Sequence, residues 1–302
     1  MANKYTRKQF QAQYPDDAAC LQAVLQRRYG NPDVCPHCGV VGKLTRIEGR
    51  RAFACQEGCH IYPCAGTVFE KSRTPLTDWF YAMYLMTATR NGVSAKELQR
   101  QLGVTYKCAW RIGHQIRELM AARDKANNPT PLTGHVEVDE TYVGGKLRKH
   151  KSTKQGRRNQ GPHLEDKTIV MGFVERGGSF KGHVVPDGKK RTLVPILFDT
   201  IRKGATVSTD QNPAYKLLNK SGYQHGSVNH SMDEWKRGIF HTNSIEGFWS
   251  HLKRGISSTH VSVSAHHLQK YVDEFGFRFN NRHAPADMFK RMLAQISKPT
   301  SS

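Results

Sequence analysis

Two aspartates interrupt apolar stretches of the sequence at places where packing alone does not call for a charge. Asp139 lies in the alternating stretch 135–145, which predicts a strand with valines on one face and acidic residues on the other. A carboxylate in a core strand is costly unless a cation or a hydrogen-bond network holds it. Asp210 ends a second apolar stretch, where it is either a functional group or a turn and helix-capping residue.

Glu246 lies on a predicted amphipathic helix whose polar face carries Asn243, Glu246, Ser250 and Lys253. The opposite face is an apolar stripe, predicted to be core, of Ile245, Phe248, Trp249, Leu252 and Ile256. Glu246 and Lys253 are about two turns apart, so the carboxylate and the ammonium face the same way. Such a pair suits a metal ion and a phosphate. The structural alternative is a capping box with Asn243 as the cap and Glu246 as its partner.

Five of the seven cysteines lie between positions 35 and 64, a density that is typical of a metal site. The predicted ligands are the pairs Cys35, Cys38 and Cys55, Cys59. Four thiolates can close a tetrahedron around Zn²⁺ and leave no open position for chemistry, so the predicted role is structural. The second pair is spaced more widely than usual, which leaves His60 and Cys64 as competing fourth ligands. Free cysteines in a small core are the alternative.

Two short helices in the middle of the chain are predicted to form a helix-turn-helix. Ser94 and Glu97 form a capping box, Gly103 lies in the turn, and Thr105 caps the second helix. In this motif the N-terminal part of the second helix enters the major groove of DNA. The side chains predicted on its exposed positions are Tyr106, Lys107, Arg111 and His114. A helical hairpin used only for packing is the alternative.

The charge of the chain favours a polyanionic partner. The 302 residues include 46 Lys and Arg against 25 Asp and Glu, a formal net charge of +21. A field this positive favours nucleic acid over most other partners. The basic stretch 146–167 is predicted to be a loop whose Arg157 and Arg158 contact the DNA backbone, which would make binding strongly salt-dependent. A solvated charged loop is the alternative.

The order of the predicted elements indicates a ribonuclease-H-like α/β domain that follows two smaller regions. The expected domains are 1–72 with an N-terminal helix and zinc ribbon, 73–128 with the helix-turn-helix, and 129–297 with the α/β fold. In the last region strands are predicted at 135–145, 168–176, 179–186, 205–210 and 223–228, and helices at 192–201, 213–219, 243–256 and 265–279. Three strands followed by alternating helices and strands is the order of that fold.

The chain resembles transposases of the IS1595 family, ISXO2-like group. The residues that carry the resemblance are VDETYVGGK (138–146), Thr209-Asp210 with Tyr215, HTNSIEGFWS (241–250) with Lys253-Arg254, and FGFRFNNR (275–282). The N-terminal ribbon, from Cys35 to Phe69, also matches. The resemblance covers nearly the whole chain and implies a DDE catalytic domain of ribonuclease-H-like fold.

Residue roles follow from this resemblance. It implies Asp139, Asp210 and Glu246 as ligands of Mg²⁺ or Mn²⁺, at a site separate from the Zn²⁺ of the ribbon, because hard cations prefer carboxylate oxygen and thiolates suit zinc. Asn243 and Lys253 are expected to orient a ligand or a phosphate. Arg254, which follows Lys253, is expected to contact nucleic acid.

The implied activity is that of a transposase that binds the ends of an insertion sequence in double-stranded DNA. Metal-dependent hydrolysis cuts each end, and the freed 3′ end is joined to target DNA, with no serine or tyrosine nucleophile. A homo-oligomer on paired DNA ends is expected. The alternatives are a DNA-binding regulator with an inactive nuclease-like domain and a nuclease that cuts without joining.

The sequence predicts neither a membrane span nor a secretory signal. Its longest apolar stretch, 79–88, is about half the length of the roughly 20 residues that cross a bilayer. Thiolate ligands require a reducing compartment. The expected location is the prokaryotic cytoplasm, in association with the nucleoid.

Overall fold

The computed structural model describes residues 5–30, 33–127, 131–144, 167–228 and 236–296. The chain divides into two compact units, one of Met1–Arg123 with Asn281–Ser302 and one of Asp124–Asn280. Among the helices that the structure describes, none combines the length and the apolar character that a bilayer crossing requires.

Five helices of the first unit are α1 (Arg7–Gln13), α2 (Asp17–Tyr29), α3 (Leu76–Ala88), α4 (Ala95–Leu102) and α5 (Tyr106–Asn127), of which α5 runs on past the unit's boundary. The region of the predicted N-terminal helix is divided into α1 and α2 because Asp16 caps a new helix. Its Oδ1 accepts from the backbone N–H of Ala19 at 2.8 Å.

The ribbon has three very short antiparallel strands, β1 (Thr45–Arg46), β2 (Phe53–Ala54) and β3 (His60–Ile61), in the order β1-β2-β3. Each strand has two residues, fewer than a free-standing sheet needs. A sheet of this size requires additional cross-links to persist, and the cysteines described below lie in its connecting loops.

Helices α4 and α5 lie where the sequence predicts the helix-turn-helix. The Ser94 hydroxyl accepts from the Glu97 N–H at 3.1 Å, and the Thr105 hydroxyl accepts from the Cys108 N–H at 3.3 Å. Gly103 ends α4 with a φ of 64°, a left-handed conformation that suits glycine. The use of these helices to read DNA stays a prediction.

One of the four exposed positions predicted on α5 is wrong. Tyr106, Lys107 and Arg111 are exposed, but His114 is only 4% exposed. The His114 ring packs against Trp110, one turn earlier, with 3.8 Å between ring centroids. The buried face of α5 is therefore wider than a simple apolar stripe, and it includes His114.

The second unit contains a five-stranded sheet of β4 (His135–Val143), β5 (Thr168–Glu175), β6 (Phe180–Val185), β7 (Thr206–Thr209) and β8 (Gln224–Ser227). The strand order is β6-β5-β4-β7-β8. Strands β4 to β6 form an antiparallel meander, whereas β7 and β8 run parallel to β4. This is the ribonuclease-H-like order that the sequence predicts.

Helices cover both faces of this sheet: α6 (Lys190–Thr200), a 3₁₀ helix (Pro213–Ser221), α7 (Asn243–Gly255) and α8 (Ala265–Asn280). Val136 and Val138 point into one core, with Leu197 and Tyr215. The other core contains residues of β5 and β6 with α7 and α8, including Val170, Phe180, Phe248, Trp249 and Phe275. Because side chains alternate along a strand, Glu137 and Asp139 face α7.

Candidate active site and zinc centre

The candidate active site lies where β7 ends beside β4. The parallel pairing of these strands stops at Glu137 and Ser208, and the chain leaves β7 at Asp210. The part of β4 beyond Glu137 therefore has no parallel partner among the described strands. Side chains of β4 and the residue after β7 can meet in this gap. In open α/β sheets, the carboxyl ends of parallel strands are the usual place for ligands.

Three carboxylates meet in this gap: Asp139 and Glu140 from β4, and Asp210 from the turn after β7. One carboxylate oxygen of each lies within 4.8 Å of the others. Asp139 and Glu140 are neighbours on a strand and leave it on opposite faces, yet both reach Asp210 because it lies beside the strand. The structure thus brings together two of the three predicted acids, and it adds Glu140.

Asp139 is held by a tryptophan on α7. The indole Nε1–H of Trp249 donates to Asp139 Oδ2 at 3.0 Å. Burial and the nearby charge of Asp210 raise the pKa of Asp139 to about 6. Trp249 is a core residue, as predicted, and it also orients one of the proposed metal ligands.

Glu140 is held from the opposite face of the sheet. The Tyr215 hydroxyl donates to Oε1, and the Asn212 side-chain N–H₂ donates to Oε2 at 3.4 Å. Burial, then the charges of Asp210 and Asp139, raise the pKa of Glu140 to about 8. Glu140 is not among the predicted site residues, and the sequence feature that could indicate it is a second acid directly after Asp139 in the same strand.

Glu246 lies on α7 outside this cluster of three, but near enough for its charge to contribute to the raised pKa of Asp139. Its Oε1 accepts from the Thr242 hydroxyl at 2.7 Å. The capping-box alternative is wrong, because Thr242 is the N-cap residue and Asn243 is the first residue of the helix. Glu246 is therefore not the partner of an Asn243 cap, and its carboxylate binds the Thr242 hydroxyl instead.

The remaining predicted contact residues are at the surface or outside the described residues. Asn243, Lys253 and Arg254 are exposed on α7, and the Arg254 Nε–H donates to the Ser250 carbonyl at 3.2 Å. Their roles toward a ligand or DNA stay predictions. Arg157 and Arg158, with most of the predicted basic loop, lie outside the described residues.

The carboxylate cluster fits a hard divalent cation. Three largely buried acids within 4.8 Å cannot all ionise cheaply without a positive charge between them. Asp139 and Glu140 accept hydrogen bonds only from neutral donors, Trp249, Tyr215 and Asn212, among the bonds described here. Oxygen donors of this kind suit Mg²⁺ or Mn²⁺ rather than Zn²⁺.

The raised pKa of Glu140 has a measurable consequence for stability. Without Mg²⁺ or Mn²⁺, we expect Glu140→Gln to stabilise the zinc-loaded protein by an amount that grows between pH 6.5 and 8. In this range folded Glu140, with a pKa of about 8, keeps a proton that the unfolded chain has already lost. Stability therefore falls as pH rises in the parent, on the order of 1 kcal/mol per pH unit. Thermal melting of both proteins at several pH values tests this.

The comparison starts at pH 6.5 because, below that pH, three histidines make the stability of the fold rise with pH, opposite to the effect of Glu140. Burial lowers the pKa values of His135, His225 and His241, so stability rises with pH as the unfolded chain loses those protons. A difference in melting temperature between parent and Glu140→Gln that stays constant from pH 6.5 to 8 would contradict the assignment.

Gly172 makes room for the tryptophan that holds Asp139. It pairs with Asp139 across β4 and β5, and a Cβ there would lie 2.5 Å from two ring carbons of Trp249. We expect Gly172→Ala to destabilise the second unit by about 1–3 kcal/mol, the usual cost of overpacking. It should also change the Trp249 fluorescence, with Trp249→Phe as the spectral reference.

A glycine on α7 provides the matched control. At Gly247 a Cβ would meet nothing within 4 Å, so Gly247→Ala should be neutral or stabilising by up to about 1 kcal/mol. If the two variants melt alike, the close packing of Trp249 over Gly172 is not a constraint on the site.

The second candidate centre is the cluster of four cysteines in the ribbon loops. The sulfur atoms of Cys35, Cys38, Cys55 and Cys59 all lie within 4.8 Å of one another. Cys38 Sγ and Cys55 Sγ are 3.8 Å apart. In a tetrahedral site with Zn–S bonds of about 2.3 Å, two sulfurs are separated by about 3.8 Å. The four side chains therefore fit Zn²⁺.

Backbone amides support the thiolate form in this cluster. The Cys59 N–H donates to Cys55 Sγ at 3.3 Å. Hydrogen bonds from the backbone N–H groups of Cys38 and His37 lower the pKa of the Cys35 thiol to about 7. Such amides satisfy the sulfur lone pairs that do not face the metal.

The two competing ligands lie outside the cluster. His60 is exposed on β3, and Cys64 is 7% exposed, with a pKa that burial raises to about 11. Neither belongs to the group of four sulfurs. Cys64 is a buried thiol of the kind that packs as a small apolar side chain.

Two family models match the sequence. One, described as an ISXO2-like transposase domain, matches residues 131–280, and the other, described as a transposase zinc-ribbon domain, matches residues 15–61. The first range holds β4, β7 and α7 with all four acids discussed above. The second holds the four clustered cysteines.

Similar proteins include two curated relatives. The "Uncharacterized protein in transposable element ISH50" of Halobacterium salinarum is 30% identical over 269 residues, which cover 84% of this chain and 88% of the relative. An "Uncharacterized transposase-like protein" of Haemophilus influenzae is 32% identical over 98 residues, which cover 32% of this chain and 78% of the relative.

Solved structures with detectable similarity include two Mos1 complexes. The Mos1 strand transfer complex has 13% identity and a TM-score of 0.29, with 74% of this chain and 79% of that chain covered. The Mos1 transposase paired-end complex with the left transposon end has 12% identity and a TM-score of 0.27, with 73% and 80% covered.

Proposed function

This chain belongs to the family of ISXO2-like transposases, and we propose that it binds the ends of an insertion sequence in double-stranded DNA, hydrolyses a strand at each end and joins the freed 3′ ends to target DNA. The observation that carries this proposal is the meeting of Asp139, Glu140 and Asp210 in the gap beside β7. Three partly buried carboxylates so close together repel one another unless a cation lies between them, which supports a cation site.

We assign the cation-binding role to Asp139, Asp210 and Glu246. Two divalent cations, when bound, would activate the attacking oxygen and stabilise the leaving oxygen of a phosphodiester. Trp249 orients Asp139, and the backbone N–H of Asn212 donates to Asp210 Oδ1 at 3.0 Å. Glu140, whose two oxygens both accept hydrogen bonds, lines the site.

The proposed reaction needs no residue that forms a covalent bond to DNA. Water attacks the phosphorus at the end of the element, and the 3′ oxygen leaves as a hydroxyl. That hydroxyl then attacks a phosphodiester of the target, and the target's own 3′ oxygen leaves. Tyr215 is fully buried, and its hydroxyl donates to Glu140, which excludes it as a nucleophile in this arrangement.

DNA contacts are proposed for three surfaces of the chain. The exposed start of α5 offers Tyr106, Lys107 and Arg111, and the surface of α7 offers Lys253 and Arg254. The third surface is that of the ribbon, with zinc held by its four clustered cysteines. The net charge of +21 supports a polyanionic partner, and assembly of more than one copy on paired ends is part of the proposal.

A strand-transfer assay tests the proposal. Labelled DNA that carries the element's ends is incubated with target DNA, the zinc-loaded protein, and Mg²⁺ or Mn²⁺. We expect cut ends and joined products that both require the added cation. Because the same pocket performs both steps, a single substitution at Asp139 should remove both.

The outcomes separate the alternative functions. Cation-dependent cutting without joined product would favour a nuclease. Specific binding of the ends without cutting would favour a regulator with an inactive domain. Absence of both binding and cutting on the element's own ends would overturn the proposal.

A further inference from the structure

A second buried carboxylate lies two residues before Asp139 on the same face of β4. Glu137 is completely buried. Its Oε2 accepts from the backbone N–H groups of Ser244 and Ile245 at 2.8 and 3.1 Å, and its Oε1 accepts from the Ser244 hydroxyl at 3.1 Å. Glu137 therefore binds the first turn of α7, the helix that carries Glu246.

This contact replaces the cap that α7 lacks. Thr242 is the N-cap residue, but its side chain makes no capping hydrogen bond, and its hydroxyl donates to Glu246. The first N–H groups of a helix need acceptors, and a negative charge there is favourable because of the helix dipole. The Glu137 carboxylate, from a strand distant in sequence, supplies both the acceptor and the negative charge at the start of α7. This is the helix that carries the proposed metal ligand Glu246.

Arg176 completes the attachment from the turn after β5. Its Nε–H donates to Glu137 Oε1 at 2.8 Å, which pairs the buried charge. The rest of its guanidinium donates to the carbonyl oxygens of Ile239 and His241, at 2.7 and 3.1 Å. His241 Nδ1 also lies 3.2 Å from Glu137 Oε1. One arginine thus fixes both the carboxylate and the segment that leads into α7.

The position of these contacts connects them to the site. Asp139 follows Glu137 by two residues on the same face of β4, and Glu246 lies in the first turn of α7, the turn that Glu137 binds. We propose that Glu137 and Arg176 are positioning residues that set the separation of Asp139 and Glu246, and so the affinity of the site for its catalytic cation. This inference rests on the proposed function for the identity of the site, but its test includes a binding measurement that does not require catalysis.

The test compares three variants with a matched control. Glu137→Gln removes the charge, Arg176→Lys keeps a charge but loses the planar set of donors, and Glu137→Asp keeps a carboxylate. The control is Glu274→Gln on α8, which changes another fully buried glutamate that is paired with an arginine, Arg278. Mn²⁺ is titrated against tryptophan fluorescence, with Trp249→Phe to identify the responding indole, and melting, DNA-end binding and strand cleavage are measured in parallel.

We expect Glu137→Gln and Arg176→Lys to raise the Mn²⁺ concentration at half-saturation by about 10- to 100-fold, the usual effect of disturbing groups that orient metal ligands. Affinity for the DNA ends should stay within about twofold, cleavage should fall and recover in part at high Mn²⁺, and Glu137→Asp should restore part of the Mn²⁺ affinity. Glu274→Gln should lower the melting temperature and keep the parent's Mn²⁺ midpoint.

Two results would overturn the inference. One is that Glu137→Gln and Arg176→Lys melt earlier but keep the parent's Mn²⁺ midpoint, as the control does. The other is that Glu274→Gln shifts the midpoint equally. If Glu137→Gln does not fold, Arg176→Lys alone decides, because Arg176 is partly exposed, with 24% of its side-chain surface accessible. If the parent binds Mn²⁺ but cuts no DNA, the proposed function fails, and the Mn²⁺ midpoints still test the positioning role.

Discussion

Replacement of Asp139 or Asp210 by asparagine is expected to reduce cutting and joining by at least about 10³-fold. A bound cation contributes several kcal/mol to a phosphoryl-transfer transition state, and each 1.36 kcal/mol is worth about tenfold in rate. Loss of either ligand removes most of that contribution. Single-turnover cleavage of labelled element ends, at saturating protein and Mg²⁺ or Mn²⁺, provides the measurement.

The same change at Asp139 is expected to stabilise the cation-free protein. Its raised pKa of about 6 means that the ionised side chain is disfavoured in the fold. Asparagine is neutral, and its oxygen can still accept from the Trp249 indole, so a gain on the order of 2 kcal/mol is expected at pH 7.5. If Asp139→Asn is inactive but melts at a higher temperature than the parent, the loss of activity is due to the loss of a metal ligand and not to unfolding.

Two glutamine variants and a surface control test whether Glu246 or Glu140 is the third carboxylate ligand of the catalytic cation. We expect Glu246→Gln to match Asp139→Asn in activity and Glu140→Gln to lose less, because Tyr215 and Asn212 already occupy the Glu140 oxygens. Asp199→Asn, an exposed carboxylate on α6, should retain parental activity. An active Glu246→Gln beside an inactive Glu140→Gln would transfer the role to Glu140.

Local patterns were enough to predict the sheet. The strands at 135–143, 168–175 and 180–185 lie within two residues of their predicted ends, because each is a run of alternating or apolar residues bounded by turn formers. Helix α7 is predicted equally well from its apolar stripe, and the prediction at 265–279 coincides with α8 to within one residue. The order of these elements then permits few topologies, and the ribonuclease-H-like order is one of them.

The parts of the site that depend on tertiary contacts were not predictable in this way. Alternation places Glu140 on the opposite face from Asp139, and only the end of β7 at Thr209 lets both reach Asp210. The acceptor for the first N–H groups of α7 is Glu137, more than 100 residues away along the chain. A capping box predicted from neighbouring residues, with Asn243 and Glu246, therefore identifies the wrong groups. The prediction that His114 is exposed is wrong for a similar reason, because its burial depends on tertiary packing that helical periodicity alone does not reveal.

The ribbon raises a different question, which is what keeps it folded. Its three strands have two residues each, and buried apolar side chains such as Phe53 and Ile61 are few there. A segment of this kind cannot offset the entropy of ordering its loops by burial alone. Cys38 Sγ and Cys55 Sγ lie at the separation that zinc requires, and all four cysteine sulfurs lie within 4.8 Å of one another. A bound zinc ion would supply the cross-link that the small sheet needs.

Replacement of Cys38 by serine is therefore expected to release the zinc and to unfold the ribbon. Structural zinc contributes about 10–16 kcal/mol of binding free energy in small domains, much more than such a segment can recover from packing. Zinc content should fall from one ion per chain to none, measured by metal analysis of protein purified without chelator. Hydrogen exchange of 33–68 should become fast, while that of the sheet in Asp124–Asn280 should not change.

Cys64→Ser is the matched control, because Cys64 lies in the same region but outside the group of four sulfurs. It should lose some stability, as a buried thiol replaced by a hydroxyl does, and keep one zinc per chain. Cys59→Ser should behave like Cys38→Ser. Zinc retained in Cys59→Ser but lost in Cys64→Ser would make Cys64 the fourth ligand. A parent protein without zinc would refute the metal centre.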